Sequence, residues 1–275
     1  MANREVLYEK VPPTKLRNRK EKFRKATNNP FWTMIADLFF YKMLENRFYS
    51  LRLKNEELFK KVNPEYPCVM YAIHGNWWDG IVGYNMMRRV FKVKPRMMIE
   101  EMNRFPIFAK AGAFPINKKS PQEAIKSLKY IVDDLSNDKK LGLWIFPQGI
   151  IKPPNFRPIE FQTGLAYIAQ GVAKKTGGIN LIPIAVNYVF LREDKPEVVV
   201  EVDEPIFITK KDVTTDRHEL TQDLQKKYTH LCNRQLHEVS SGTLEGYRYL
   251  FKQKLPWYKK LEKKLKKIEI KGSGI

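Results

Sequence analysis

The chain has 275 residues, 43% of them hydrophobic and 12% aromatic, enough to close a sizeable core and to exclude disorder throughout. Its 50 lysines and arginines outnumber 30 acidic residues, and the net charge of +20 draws it toward phospholipid headgroups, nucleic acid or phosphorylated substrates. Cys68 and Cys232 are far apart and lack metal-ligand spacing, which excludes a disulfide framework or zinc site and fits a reducing cytoplasm; neither metal nor cofactor is expected.

Residues 1–27 carry Lys10, Lys15, Arg17, Arg19, Lys20, Lys22, Arg24 and Lys25 with little apolar periodicity, which reads as a basic arm or loosely attached helix. The charged start is unlike a secretory signal. From about 29 to 54, Phe31, Trp32, Ile35, Leu38, Phe39, Leu44 and Phe48 recur near helical spacing and predict an amphipathic helix. Asp37, Lys42, Glu45 and Arg47 interrupt it too often for a hydrocarbon span, so no transmembrane helix is expected. Its aromatic density suits the headgroup layer; packing on the domain's own core is the alternative.

From about residue 67 short apolar runs alternate with longer amphipathic stretches, as in strands interleaved with helices. Strands are expected at 68–73, 95–100, 141–146, 181–190 and 197–202. A helix should run from Ser120 to about Asn137, because Ser-Pro-Gln-Glu offers a capping hydroxyl, a proline at the first helical position and Glu123 at the reciprocal position. A second should follow Gln162, with Leu165, Ile168, Ala169 and Val172 on one face and Gly177 and Gly178 at its end. A polar helix covers roughly 215–240, and the stretch from Arg248 to Lys271 mixes apolar residues with lysines and arginines as a surface-bound basic helix would. The expected fold is α/β: a mixed central sheet flanked by helices, with an N-terminal amphipathic helical segment and a basic C-terminal helical tail. The boundaries read as 1–54 for a membrane-associating arm and helix, 55–240 for the α/β domain, and 241–275 for a basic amphipathic tail.

The segment Tyr71-Ala72-Ile73-His74-Gly75-Asn76-Trp77-Trp78-Asp79-Gly80 places a histidine directly after an apolar strand and an aspartate five residues later. On a regular helix those side chains diverge by about 140°, so they meet only if the chain turns between them, which Gly75 allows. An aspartate in the first turn of the next helix can then fix the imidazole tautomer and stabilise its protonated form. No G-x-S-x-G elbow and no cysteine in a nucleophile motif accompanies the pair. Such a pair can instead deprotonate an acceptor hydroxyl, so that the substrate is the nucleophile.

With its H-x-x-x-x-D box at His74 and Asp79, the sequence resembles the glycerolipid acyltransferases, which include the lysophospholipid acyltransferases. Gly112-Ala113-Phe114-Pro115-Ile116-Asn117-Lys118 is similar to the family's second block, Phe146-Pro147-Gln148-Gly149 to its third, and Leu181-Ile182-Pro183-Ile184-Ala185 to its fourth. The four blocks in order cover roughly residues 68 to 190. The resemblance implies a fatty acyl thioester donor, on coenzyme A or acyl carrier protein, a lipid hydroxyl acceptor, and a place at the cytoplasmic face of a membrane, peripheral or monotopic. It also implies His74 as base, Asp79 as its orienting partner, and an acceptor pocket lined by Lys118, Phe146, Pro147, Gln148 and Gly149. Trp77 and Trp78 are unusual within the box; one ring should pack into the core and the other line an acyl channel, because successive residues point different ways. Met86, Met87, Met97, Met98 and Met102 suit a flexible acyl pocket, although such methionines more often merely fill a core.

Gln148 stands where the family has glutamate, and Ile150 and Ile151 where threonine and arginine usually follow, so a charge normally present there is absent. Lys152 or Arg157 compensates if the loop Pro153-Pro154-Asn155-Phe156 folds back; a sugar-bearing or other non-phosphate acceptor is the alternative. Rival readings are a nucleic-acid-binding protein, which rests on charge alone because no zinc-finger, RNA-recognition or helix-turn-helix pattern is present, a non-catalytic membrane relative, and a thioester hydrolase.

Overall fold

The computed structural model describes residues 23–254 apart from 101, 103, 104, 118, 119 and 192, together with 261, 264 and 265. The strands are β1 Ser50–Lys54, β2 Cys68–Tyr71, β3 Lys94–Ile99, β4 Ala113–Pro115, β5 Leu141–Ile145, β6 Gly178–Val189, β7 Glu197–Val202, β8 Ile206–Thr209 and β9 Arg248–Lys252. The helices are α1 Pro30–Arg47, α2 Trp78–Asn85, α3 Pro121–Asn137, α4 Gly164–Thr176 and α5 Arg217–Ser241. Among the described residues these make a mixed nine-stranded sheet in the order β4-β3-β5-β2-β6-β7-β1-β9, with β8 on β6, and helices cover both faces.

Both faces being covered explains why β2, β5 and β7 are buried at every position; β2 and β5 carry no charged residue, and the two glutamates of β7, Glu197 and Glu201, pair with Arg52 and Arg234. One core holds residues of α3, α4 and α5, including Ile131, Leu135, Ile168 and Tyr228. The other holds Leu44 of α1, Ile81 and Val82 of α2, and Trp144 of β5. At Gly83 α2 lies directly on Trp144 of the sheet: a Cβ there would lie 2.5 Å from the indole, so only glycine lets the helix lie this low.

The five strands from β4 to β6 run parallel, and their connections position the site. From β2 the chain passes through α2 to β3 on one side; from β5 it passes through α4 to β6 on the other. Adjacent strands whose chains part in opposite directions leave a crevice beyond their carboxyl ends, where ligands of open α/β sheets bind. The residues after β2 begin with Ala72, Ile73 and His74, and those after β5 with Phe146, Pro147 and Gln148.

Two expectations change toward the ends of the chain. The helix expected over 29–54 stops at Arg47, and Ser50–Lys54 is instead a strand parallel to β7. There Leu51 and Leu53 point into the core and Arg52 and Lys54 away from it, a period of two directly after a period of 3.6. The surface helix expected from Arg248 begins as β9, antiparallel to β1. Beyond it Leu261, Lys264 and Leu265 are helical and exposed, and the rest of the expected helix lies outside the described residues, as does the basic arm up to residue 22. Helix α3 starts as expected, with the Ser120 hydroxyl accepting the Glu123 N–H at 3.4 Å; the Glu123 carboxylate meanwhile takes the Asn117 side chain.

α1 carries its apolar stripe on the outside. Phe31, Met34, Ile35, Leu38 and Phe39 are exposed, Leu38 to 61%, while Thr33, Ala36 and Leu44 face inward. Asp37 also turns inward, where it accepts hydrogen bonds from the Tyr84 hydroxyl and the Arg88 guanidinium. An exposed apolar face of this extent is characteristic of a docking surface.

Candidate active site

The backbone leaving β2 is pinned residue by residue. The Ala72 N–H donates to Ile145 O at 3.2 Å, the Ile73 N–H to the Tyr228 hydroxyl at 2.8 Å, and the His74 N–H to Gln148 Oε1 at 3.1 Å. The His74 carbonyl accepts the Lys152 N–H at 2.8 Å. The N–H groups of Gly75 and Asn76 donate to Asp79 Oδ2 at 2.6 and 2.7 Å. Every N–H from 72 to 76 is thereby satisfied, and the turn is held from β5, α5 and α2 at once.

Asp79 sits in the first turn of α2, 1% exposed. Its Oδ2 also faces His74 Nδ1 at 3.0 Å, and its Oδ1 accepts the Tyr188 hydroxyl at 2.6 Å. A carboxylate surrounded by donors leaves Nδ1 as the protonated ring nitrogen. Nε2 then keeps its lone pair. The imidazole stacks flat on Phe146, with centroids 4.2 Å apart and an 8° interplanar angle, which fixes its plane as Asp79 fixes its tautomer.

His74 opens onto a cavity of about 380 Å³ whose wall is mostly apolar: Phe40, Ile81, Tyr84, Met97, Met98, Phe105, Phe108, Phe146 and Ile151 among others, with Glu100 at the end of β3. No serine, threonine or cysteine is among the described lining residues. Cys68 and Cys232 are buried, which pushes each thiol up to about 12, far from a usable thiolate. An adjoining apolar groove of about 400 Å³ shares Phe40, Trp77, Phe105 and Phe108 with the cavity and runs along Trp32, Ile35, Phe39 and Met43 of α1. The groove along α1 and the cavity beside His74 therefore adjoin, with the four shared side chains bordering both.

The expected site residues divide. His74, Asp79, Phe146 and Trp77 converge; Trp77 is 57% exposed and borders both the cavity and the groove. Trp78 turns into the core against Phe48, at 5.4 Å between ring centroids, and borders neither the cavity nor the groove. Gln148 is buried and spends its carbonyl on the His74 N–H, so it braces the turn instead of facing an acceptor. Pro147 is buried as well, its carbonyl taken by the Gln162 N–H, while Gly149 turns with φ of 70°. The loop 150–156 does fold back, with Pro154 packed against Gly75, yet neither basic residue reaches the cavity lining. Arg157 donates to Pro154 O, Phe156 O and Asn233 Oδ1, and Lys152 pairs with Glu160 over the Phe156 ring. Lys118 lies outside the described residues. Of the methionines, Met97 and Met98 line the cavity, whereas Met86 and Met87 fill the core.

Tyr188 was not anticipated. A tyrosine near the end of an apolar strand carries no local signal that a carboxylate 109 residues away will meet it. Burial first, and the Asp79 charge second, raise its hydroxyl well above the ordinary tyrosine range.

Compared with known proteins, the chain matches the family model described as acyltransferase over residues 50–187. No curated protein matches it. That stretch takes in β1 to within two residues of the end of β6, and so contains the crevice, the His74 turn and the strand bearing the fourth block. The chain belongs to the acyltransferase family, that of the glycerolipid and lysophospholipid acyltransferases.

Proposed function

We propose that this protein is an O-acyltransferase that moves a fatty acyl group from a thioester, on coenzyme A or acyl carrier protein, to a hydroxyl of a lysophospholipid, glycolipid or related lipid. The observation that carries this reading is an imidazole with Nδ1 held by a buried carboxylate, set in the wall of a mostly apolar cavity with no serine, threonine or cysteine among its described lining residues. With no such nucleophile among them, the attacking oxygen is that of the acceptor. His74 Nε2 takes the hydroxyl proton as that oxygen bonds to the thioester carbonyl carbon. The tetrahedral oxyanion then collapses, the carbon–sulfur bond breaks, and the imidazolium returns the proton to the departing thiolate. Asp79 holds the ring and stabilises its charge while the proton is resident.

Incubation with palmitoyl-coenzyme A and separate lysophospholipid and glycolipid acceptors, followed by mass spectrometry, tests this reading. An acylated lipid supports it. Free palmitate alone points to a hydrolase, and no product to a non-catalytic relative.

The apolar outer face of α1 and the groove that adjoins the cavity support a place on the membrane surface, peripheral or monotopic, at the cytoplasmic face, where the +20 charge meets anionic headgroups. Among the described residues no helix is long and apolar enough to cross a membrane. Replacing Leu38 and Phe39 together by glutamate should weaken cosedimentation with anionic vesicles by at least about tenfold, since each side chain buries roughly 1 to 2 kcal/mol of apolar surface on docking. Both are exposed, so the melting temperature should not change. Undiminished vesicle binding would remove α1 as the docking element.

A further inference from the structure

β6 outruns its neighbour. Its last position paired with β2 is Pro183, but the strand continues to Val189, reaching past the turn that carries His74. Because residues alternate faces, Ile182, Ile184, Val186 and Tyr188 all stand on the side covered by α2. Asp79 belongs to the first turn of that helix, and the overhang brings the Tyr188 hydroxyl to 2.6 Å from its Oδ1. Oδ2 is already taken by His74 and two backbone N–H groups.

We propose that Tyr188 is a positioning residue for acyl transfer, which locks the Asp79 carboxylate in the plane His74 requires and sets how strongly that carboxylate holds a proton on the imidazole. This rests on the reading of His74 as the base and adds that a phenol the histidine does not touch tunes it. A carboxylate spreads its charge over the donors it accepts from, so each further donor weakens its pull on a neighbouring cation. Tyr188 suits that role because its burial keeps it a neutral donor, and Phe48, 5.5 Å away between ring centroids, supports the ring. Among the described residues, the other titratable groups near the pair are Tyr84 of α2 and Glu100 at the end of β3, which line the cavity, and Lys152 after β5, whose ammonium pairs with Glu160. Tyr84 gives its hydroxyl to Asp37.

The protein has four histidines, so the His74 imidazole can be followed by nuclear magnetic resonance without substrate and assigned by its loss in His74→Ala. Tyr188→Phe removes one donor and keeps the ring. Its expected effects are an upward move of the His74 titration midpoint and a roughly tenfold slower release of thiol from palmitoyl-coenzyme A over lysophospholipid micelles. Incorporating 3-fluorotyrosine at position 188 makes the phenol a stronger donor and should move the midpoint down; it serves equally if Tyr188→Phe does not fold. Phe48→Leu disturbs the same packing but spares the hydroxyl, and should leave the midpoint in place. Identical midpoints in the native protein, Tyr188→Phe and the fluorotyrosine protein would overturn the proposal. Native thiol release by His74→Ala with the midpoints moving as stated would instead overturn the general-base reading and leave the Tyr188 linkage standing.

Discussion

His74→Ala is expected to lower acyl transfer by about three to four orders of magnitude, the upper range for losing a general base. The size follows from what holds the ring: of the described residues lining the cavity, His74 is the one paired with Asp79, and the Tyr84 hydroxyl is held by Asp37, with burial raising it further above its ordinary range. The fold should be indifferent. The backbone of the turn is anchored through the N–H groups of residues 72 to 76 and the His74 carbonyl, none of which involves the ring. The imidazole is already 23% exposed, so its removal opens the crevice more than it hollows the core. Transfer rates, circular dichroism and vesicle binding measured together check this. Transfer at the native rate would end the assignment of His74.

Asp79→Asn should cost about two to three orders of magnitude in rate and, unlike the histidine change, about 1 to 3 kcal/mol of stability. Two backbone N–H groups point at Oδ2, so the amide must present its oxygen there and its nitrogen toward Tyr188, whose hydroxyl can turn to accept. His74 then keeps the same tautomer. What vanishes is the charge that stabilises the imidazolium, so the rate should fall less than a tautomer reversal would cause. The stability loss arises because three N–H donors and a phenol meet a neutral acceptor in place of a carboxylate. Urea unfolding and transfer kinetics on one preparation separate the two effects. A rate loss below threefold would show that the pair does not act together.

How much of this was legible in the sequence depends on how local each signal is. The His74-to-Asp79 turn, the cap at Ser120 and the strand at 197–202 could be read because a few neighbouring residues specify them. The short edge strands were lost to their surroundings. Leu51 and Leu53 alternate clearly, but directly after a helix whose apolar residues continue at Leu44 and Phe48. Arg248 to Lys252 looked like the start of a basic tail, because its charge pattern is the same whether the segment pairs with β1 or lies on a surface. Among site residues, the losses are long-range. Gln148 occupies the family position but bonds a backbone 74 residues earlier, and Arg157 is consumed by its own loop and by Asn233. Exposure of the apolar stripe of α1 was likewise open from periodicity, which gives a face without saying which way it points.

Direct attack by the acceptor, with no acylated protein on the way, is most sharply tested by mixing enzyme with palmitoyl-coenzyme A and following thiol release and intact protein mass on the millisecond-to-minute scale. The account predicts thiol release that depends on added lipid acceptor, without a burst, and a protein mass that stays that of the free chain. A burst of thiol equal to the enzyme present, with one palmitoyl group gained by the protein, would contradict it.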